Sequence, residues 1–172
     1  MVDDPHELVK LISDKNKTDN KSRVVAGYCW DWRSKKDPAA MDIIIPQYEF
    51  SKQWNLTVDG SLWILQPESV DQIGCIHTCQ GLELNYVGVI IGNDLIVRDG
   101  EMLVDPSQRS RMDATIKGYK TMLRNNPQEA KERIKTLIKN TYKTLMSRGQ
   151  KGCFIYCTDD ETKEYFKKYV LK

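Results

Sequence analysis

No Gly-x-x-x-x-Gly-Lys-Ser/Thr occurs in the 172 residues, and the dipeptide Gly-Lys is absent altogether. A loop of that type cradles the β- and γ-phosphates of a nucleotide, and its hydroxyl holds magnesium. Its absence excludes a self-sufficient phosphate-loop hydrolase. No apolar run approaches the roughly 18 residues that a spanning helix needs, and the N-terminus, with Asp3, Asp4 and Pro5, lacks the basic and apolar regions of a secretion signal. A cytoplasmic protein with no membrane partner is expected. The formal net charge is only +2, too weak a field to argue for nucleic-acid binding by the whole surface. Any such binding has to be local. Internal repeats and low-complexity segments are missing as well.

Without a secretion signal, an odd count of five cysteines, Cys29 among them, favours reduced, buried thiols over disulfides. Cys75-x-His77-x-Cys79 and Cys153-x-x-x-Cys157 supply soft ligands, so a zinc or thiol domain is a rival reading. Geometry weighs against it. Same-face neighbours on one strand are about 6.6 Å apart and cannot converge on one ion without a sharp turn. Cys153 and Cys157 bracket Phe154, Ile155 and Tyr156, which read as buried strand. No metal ligand is assigned.

What is present fits one ordinary globular domain over 1–172. Hydrophobic residues make up 40% and charged residues 29%, which excludes a disordered tail. A chain of this length buries roughly 70% of its unfolded surface, enough for a core without staples. Helix and strand signals alternate along it. Asp4, Pro5 and Glu7 form a helix start, with an N-cap acid, a proline at the first helical position and a glutamate three on from the cap, and the helix is expected to run to about Asp14. A polar loop over 15–22 precedes a strand over 23–30. A further strand is read at 42–45, then a connection over 46–60 carrying Phe50 and Trp54. Continuous apolar runs at 69–76 and 86–91 read as strands buried on both faces.

A helix is predicted over 106–123, broken by Asn125-Asn126-Pro127. From Ala130 the apolar positions Ile134, Leu137, Ile138, Tyr142, Leu145 and Met146 recur at three and four, giving one long amphipathic helix. A strand starts at Cys153. Residues 158–161 form a capping box for a last helix expected to bury Tyr165, Phe166, Tyr169 and Val170. Alternation of this kind predicts an α/β three-layer sandwich with a mostly parallel sheet.

Two stretches carry the chemistry. His77-Thr78-Cys79-Gln80-Gly81-Leu82-Glu83 puts a bendable glycine and polar side chains between two buried strands, where α/β proteins bind ligands in the crevice at the carboxyl ends of strands. Ser147-Arg148-Gly149 ends the long helix, with Gly149 suited to a left-handed closing residue and Lys151 adding charge at the negative dipole end. An arginine there either satisfies the last carbonyls or reaches a ligand. Trp30 and Trp32 share a face if their strand continues, and Arg33, Lys35 and Lys36 follow. They read either as packing under the next loop or as a stacking platform with a phosphate-binding rim, at ~1 to 3 kcal/mol per stacked base. Lys131, Glu132 and Lys135 read as the solvated face of the long helix.

Three blocks occur in order: Val25-Ala26-Gly27-Tyr28-Cys29-Trp30-Asp31-Trp32, then Ile76 to Glu83 followed by the apolar run up to Asp94, then Asn140 to Gly149. Together they resemble motifs V and VI of superfamily 1 helicases, and specifically the schlafen group 3-like DNA/RNA helicase domains. The resemblance spans about 5–166, with 99–128 the least diagnostic part.

This resemblance implies the second RecA-like lobe of an ATP-dependent helicase or translocase. The lobe would be inactive alone, with a partner N-terminal lobe of the same parent protein supplying the phosphate loop. It implies ATP and Mg2+ as cofactors of the parent, with none held tightly by this chain, and single-stranded DNA or RNA as partner. Arg148 would be the catalytic guanidinium that stabilises charge on the transferring phosphoryl group, worth ~10³ to 10⁵ in rate. Gln80 and Gly81 would approach the γ-phosphate side and Glu83 the ribose, while His77 and Thr78 would touch the strand's backbone. Motif VI here departs from the commoner pattern, with Ser147 for threonine and Gly149 for alanine. The family's motif IV arginine would fall upstream of Met1, so the chain is expected to be a piece of a longer protein. Asp94 imitates a magnesium-holding acid, but without a phosphate loop it reads as an end-of-strand loop residue. The alternative function is a non-catalytic nucleic-acid-binding or interaction module that keeps the same shape.

Overall fold

The computed structural model describes residues 1–55, 63–79 and 81–170. Its centre is a four-stranded, all-parallel sheet. Helix α1 (Pro5–Asp19) leads into β1 (Ser22–Ala26), which lies between the short β4 (Ile73–Gly74) and β5 (Leu84–Ile91); β8 (Gly149–Cys157) closes the far side of β5. Two antiparallel hairpins sit outside this sheet: β2 (Ile43–Ile45) with β3 (Phe50–Lys52), and β6 (Leu95–Arg98) with β7 (Glu101–Val104). Helices α2 (Tyr119–Asn125), α3 (Pro127–Met146) and α4 (Asp160–Tyr169) complete the fold.

The sheet is apolar on both faces, which is why its strands read as continuous runs. Val24, Ala26 and Ile90 join a core with Leu8 and Ile12 of α1 and with Phe50 and Trp54. Val25, Val87, Val89 and Ile91 join a second core with Ile134, Ile138, Tyr142 and Leu145 of α3. The chain is thus an α/β three-layer sandwich, helices on both faces of a parallel sheet, as its pattern predicts.

Several element boundaries differ from the expectation, each for a physical reason. α1 continues to Asp19 instead of stopping near Asp14, because a polar stretch is what an exposed helical face requires and Asn20, at φ 54°, supplies the left-handed close. β1 ends at Ala26, so the strand does not reach Trp30. The run over 69–76 gives only two strand residues. Ser69 belongs to a 3-10 turn, Pro67–Asp71, buried because its hydroxyl accepts from Arg23 Nε at 2.9 Å.

The connection over 46–60 contains β3; its residues 56–60 lie outside the described ones. The helix expected over 106–123 is mostly irregular. Asp105 and Asp113 each accept a backbone N–H two residues on and cap short 3-10 turns, leaving only α2 helical. In α4 it is Asp159, not Thr158, that caps the helix, and Tyr169 is 69% exposed instead of buried.

Candidate nucleotide and nucleic-acid interface

After β4 the chain makes a tight turn, with Cys79 N–H donating to Cys75 O at 3.1 Å. The turn buries both thiols and leaves His77 exposed between them. Thr78 Oγ donates to Asn55 Oδ1 at 2.6 Å and lies 3.3 Å from Cys75 Sγ, so its hydroxyl also ties the turn to the segment after β3. Burial pushes the Cys79 thiol well up, and the Cys157 thiol to about 12. Both stay protonated and act as packing groups. Among the described residues no three His, Cys, Asp or Glu side chains are grouped to hold a metal. Gln80 lies outside the described residues. Gly81 has φ 79° with open space where a Cβ would stand, so backbone conformation alone favours glycine there. Glu83 is exposed, and its Oε2 accepts from Gln150 Nε2 at 3.0 Å.

Arg148 meets this turn from the end of α3. Its carbonyl accepts from Leu84 N–H at 3.0 Å, the first rung between β5 and β8. Its Nη1 reaches Leu82 O at 3.4 Å and its Nε reaches Thr144 O at 3.3 Å, both long bonds to carbonyls. No carboxylate holds the guanidinium among the described residues, and Nη2 is left without a protein acceptor there. A half-buried guanidinium so weakly committed suits a phosphate oxygen. Ser147 turns its hydroxyl back to Thr144 O at 3.0 Å.

Gly149 does not take the left-handed conformation expected of it. It is already in β8, and β8 carries one extra residue there: Leu84 faces Gly149 while Tyr86 faces Gly152. A Cβ on Gly149 would stand 2.2 Å from Gly152 O, so this bulge requires glycine for space.

The edge of the sheet is also not the one expected. His77 and Thr78 follow the carboxyl end of β4. The turn then descends, so Gly81, Glu83 and Arg148 gather at the amino ends of β5 and β8. Because β4 and β5 both run parallel to β1, the chain has to return from the carboxyl end of the one to the amino end of the other.

Trp30 and Trp32 stand at the other end of the sheet, beyond the carboxyl end of β1. Trp32 is 8% exposed and packs with Tyr28 and Trp54 at centroid distances of 6.3 and 6.1 Å, with Lys35 Nζ 3.8 Å over its ring. That places it in the core. Trp30 is half-buried, donates to Ile44 O at 3.2 Å, and borders an open cleft of about 330 Å³ with Arg33, Arg111 and Ser110. The structure therefore brings Arg148, Gly81 and Glu83 together and leaves both tryptophans apart from them.

Asp94 is an end-of-strand loop residue, as read, but its role is larger. It is fully buried, accepting from Arg109 Nη1 at 2.9 Å and from the Tyr142 hydroxyl. Arg109 Nε donates to Asp113 Oδ2 at 2.6 Å, while Nη2 lies 2.6 Å from that oxygen at an angle unsuited to a hydrogen bond. Gly92 N–H donates to the Tyr142 hydroxyl at 3.0 Å. This cluster clamps the 105–113 segment and α3 to the end of β5. Burial raises the Asp94 carboxyl, opposed by its bonds to Tyr142 and Arg109. The four-residue spacing of Arg109 and Asp113 is visible in the sequence; their joint partner Asp94 is not.

On the outer side of α3 an open groove of about 670 Å³ runs between Ile76 and the helix face bearing Arg133, Leu137, Asn140 and Thr144. Asn140 and Thr144 share with Arg148 a spacing of four, so the groove leads to the guanidinium.

Residues 1–159 match the family model described as Schlafen group 3, DNA/RNA helicase domain. A protein of Saccharomyces cerevisiae, YPL245W, described as uncharacterized, is 23% identical over 172 aligned residues that take in 94% of this chain. The chain spans 35% of that relative's length. No solved structure matches. The chain belongs to the Schlafen group 3 helicase-domain family.

Proposed function

We propose that this member of the Schlafen group 3 helicase-domain family is the C-terminal motor lobe of an ATP-dependent nucleic-acid helicase or translocase. The observation that carries the reading is the junction of two sequence-distant segments at one sheet edge: Arg148 reaches Leu82 O at 3.4 Å while its own carbonyl starts the β5–β8 pairing. An arginine finger and the turn that senses nucleotide have to move as one body, and here a shared backbone rung joins them. Arg148 would meet the phosphate oxygens, with Gln80 and Gly81 beside it and Glu83 toward the ribose. His77 and Thr78 would touch the strand, and Trp30 is the more exposed of the two indoles for base stacking. ATP and Mg2+ would supply phosphoryl-transfer chemistry, with the phosphate loop contributed by an N-terminal lobe that docks along the groove leading to Arg148.

The test is Arg148→Lys in a protein that also carries the phosphate-loop lobe. Lysine keeps the charge and loses the planar fork that spans two oxygens. ATPase at saturating nucleic acid is expected to fall by about 10³ or more, nearly as far as for Arg148→Ala. Activity within about threefold of wild type for either variant would assign Arg148 to helix capping.

A further inference from the structure

The near-neutral total conceals a strong asymmetry. Residues 106–151 hold twelve Lys and Arg against three Asp and Glu, whereas the rest of the chain holds fourteen against twenty-one. Most of that excess lies on α2, α3 and the turns around them. On α3, Lys131, Lys135, Lys139 and Lys143 recur every four residues, so they form one sloping stripe about 18 Å long at 1.5 Å rise per residue. Three of them are exposed and Lys139 is half-buried.

Among the described residues none of the four makes an ion pair, although lysines elsewhere on the surface do, such as Lys163 and Lys167 with Asp3. The helix's two acids, Glu129 and Glu132, line the groove; at about 3.6 residues per turn Glu132 falls within the angular span of the stripe, where groove and stripe meet. Only Lys143 lies in the last turn, where the helix dipole itself favours a cation. The other three have no such local partner.

We propose that this lysine stripe is a second nucleic-acid track, binding the phosphate backbone of a duplex on the face of α3 that borders the groove and is turned from Arg148. A duplex is favoured over a single strand by what the stripe lacks. Single-strand sites interleave basic groups with aromatic rings on which bases stack, whereas Tyr142 on this flank is buried with its hydroxyl bound to Asp94. A rigid row of point charges with no stacking surface reads a regular array of phosphates and nothing else. The family's description as a DNA/RNA helicase domain makes nucleic acid the polyanion of choice over an acidic protein or a lipid surface. The inference does not depend on ATP hydrolysis or on the role proposed for Arg148.

The test is binding of a fluorescently labelled duplex by this chain, read as anisotropy across a salt series without nucleotide. Lys131→Gln, Lys135→Gln, Lys139→Gln and Lys143→Gln are combined in one variant. Glutamine keeps helix propensity, and circular dichroism verifies the fold. Removing one lysine that neutralises a phosphate is expected to flatten the slope of log K against log salt by about 0.9, so the combined variant should lose about 3.6 units of slope and at least tenfold in duplex affinity at low salt. Lys10→Gln with Lys17→Gln on α1, in the opposite layer, should leave both unchanged. An unaltered duplex slope in the four-lysine variant would overturn the proposal. So would an equal loss for single strands, or tighter retention of the wild-type chain by anionic phospholipid vesicles than by the duplex. None of these outcomes bears on Arg148 and the ATPase, so the two readings fail separately.

Discussion

Asp159 shows how much one side chain can be asked to do. It caps α4 through Thr162 N–H at 2.9 Å and takes a paired bond from Arg98 at 2.7 and 2.8 Å, fastening β6 to the start of the helix. The Arg98 bond, ahead of those from Thr162, lowers its carboxyl from 3.8 to about 2. A carboxylate depressed in the folded state adds stability that is fully present above its unfolded value and lost as pH falls through the folded one. The window is therefore from about pH 4 down to about pH 2. Arg98 is 42% exposed, so solvent screening leaves a contribution of about 1 kcal/mol. Urea unfolding of wild type and Asp159→Asn is expected to show a gap of that size at pH 6 that closes as the pH is taken down to about 2. A gap independent of pH would place the contribution in capping instead of charge.

Among elements, the entry to β8 couples the fold most directly to the site. The extra residue between Gly149 and Gly152 brings their backbones so close that any Cβ on Gly149 strikes a carbonyl. Gly149→Ala, the residue commoner in the related motif, is expected to cost about 1 to 3 kcal/mol and to lower the thermal midpoint in calorimetry. A midpoint equal to wild type would show that the bulge relaxes freely. That bulge also marks where the sequence stops being readable. Apolar periodicity disclosed α3, β5 and the two-sided sheet, because burial itself imposes those patterns.

The β6–β7 hairpin was missed, although Asp99-Gly100 between alternating residues is a turn signal, and both residues take positive φ, 52° and 77°. The strand length at β4 and the irregular 105–118 segment were not legible. Arg23, fully buried and bonded to Ser69, Asn16, Asn20 and the carbonyls of Ile64 and Gln66, decides the first. Arg109 between Asp94 and Asp113 decides the second. Each depends on partners far apart in the chain, a relation no local pattern encodes. At the candidate site, the two stretches could be named from the sequence but the edge of the sheet where they meet could not, since the return from β4 to the amino end of β5 follows from both strands running parallel to β1.

Taken whole, the molecule offers a guanidinium without a phosphate cradle. Steady-state ATPase of this chain, with or without single-stranded DNA, is expected to remain at background; turnover that copurifies with the chain and vanishes in Arg148→Ala would overturn the two-lobe reading.

The placement of the four tryptophans has a practical corollary. Trp32, Trp54 and Trp63 are 8%, 0% and 1% exposed, while Trp30 borders the cleft with Arg33 and Arg111. Steady-state emission therefore separates into three shielded indoles and one that dissolved acrylamide can reach. The quenchable fraction belongs to the Trp30 loop, so the native chain carries an intrinsic optical reporter of whatever enters that cleft, with no label attached and no residue changed.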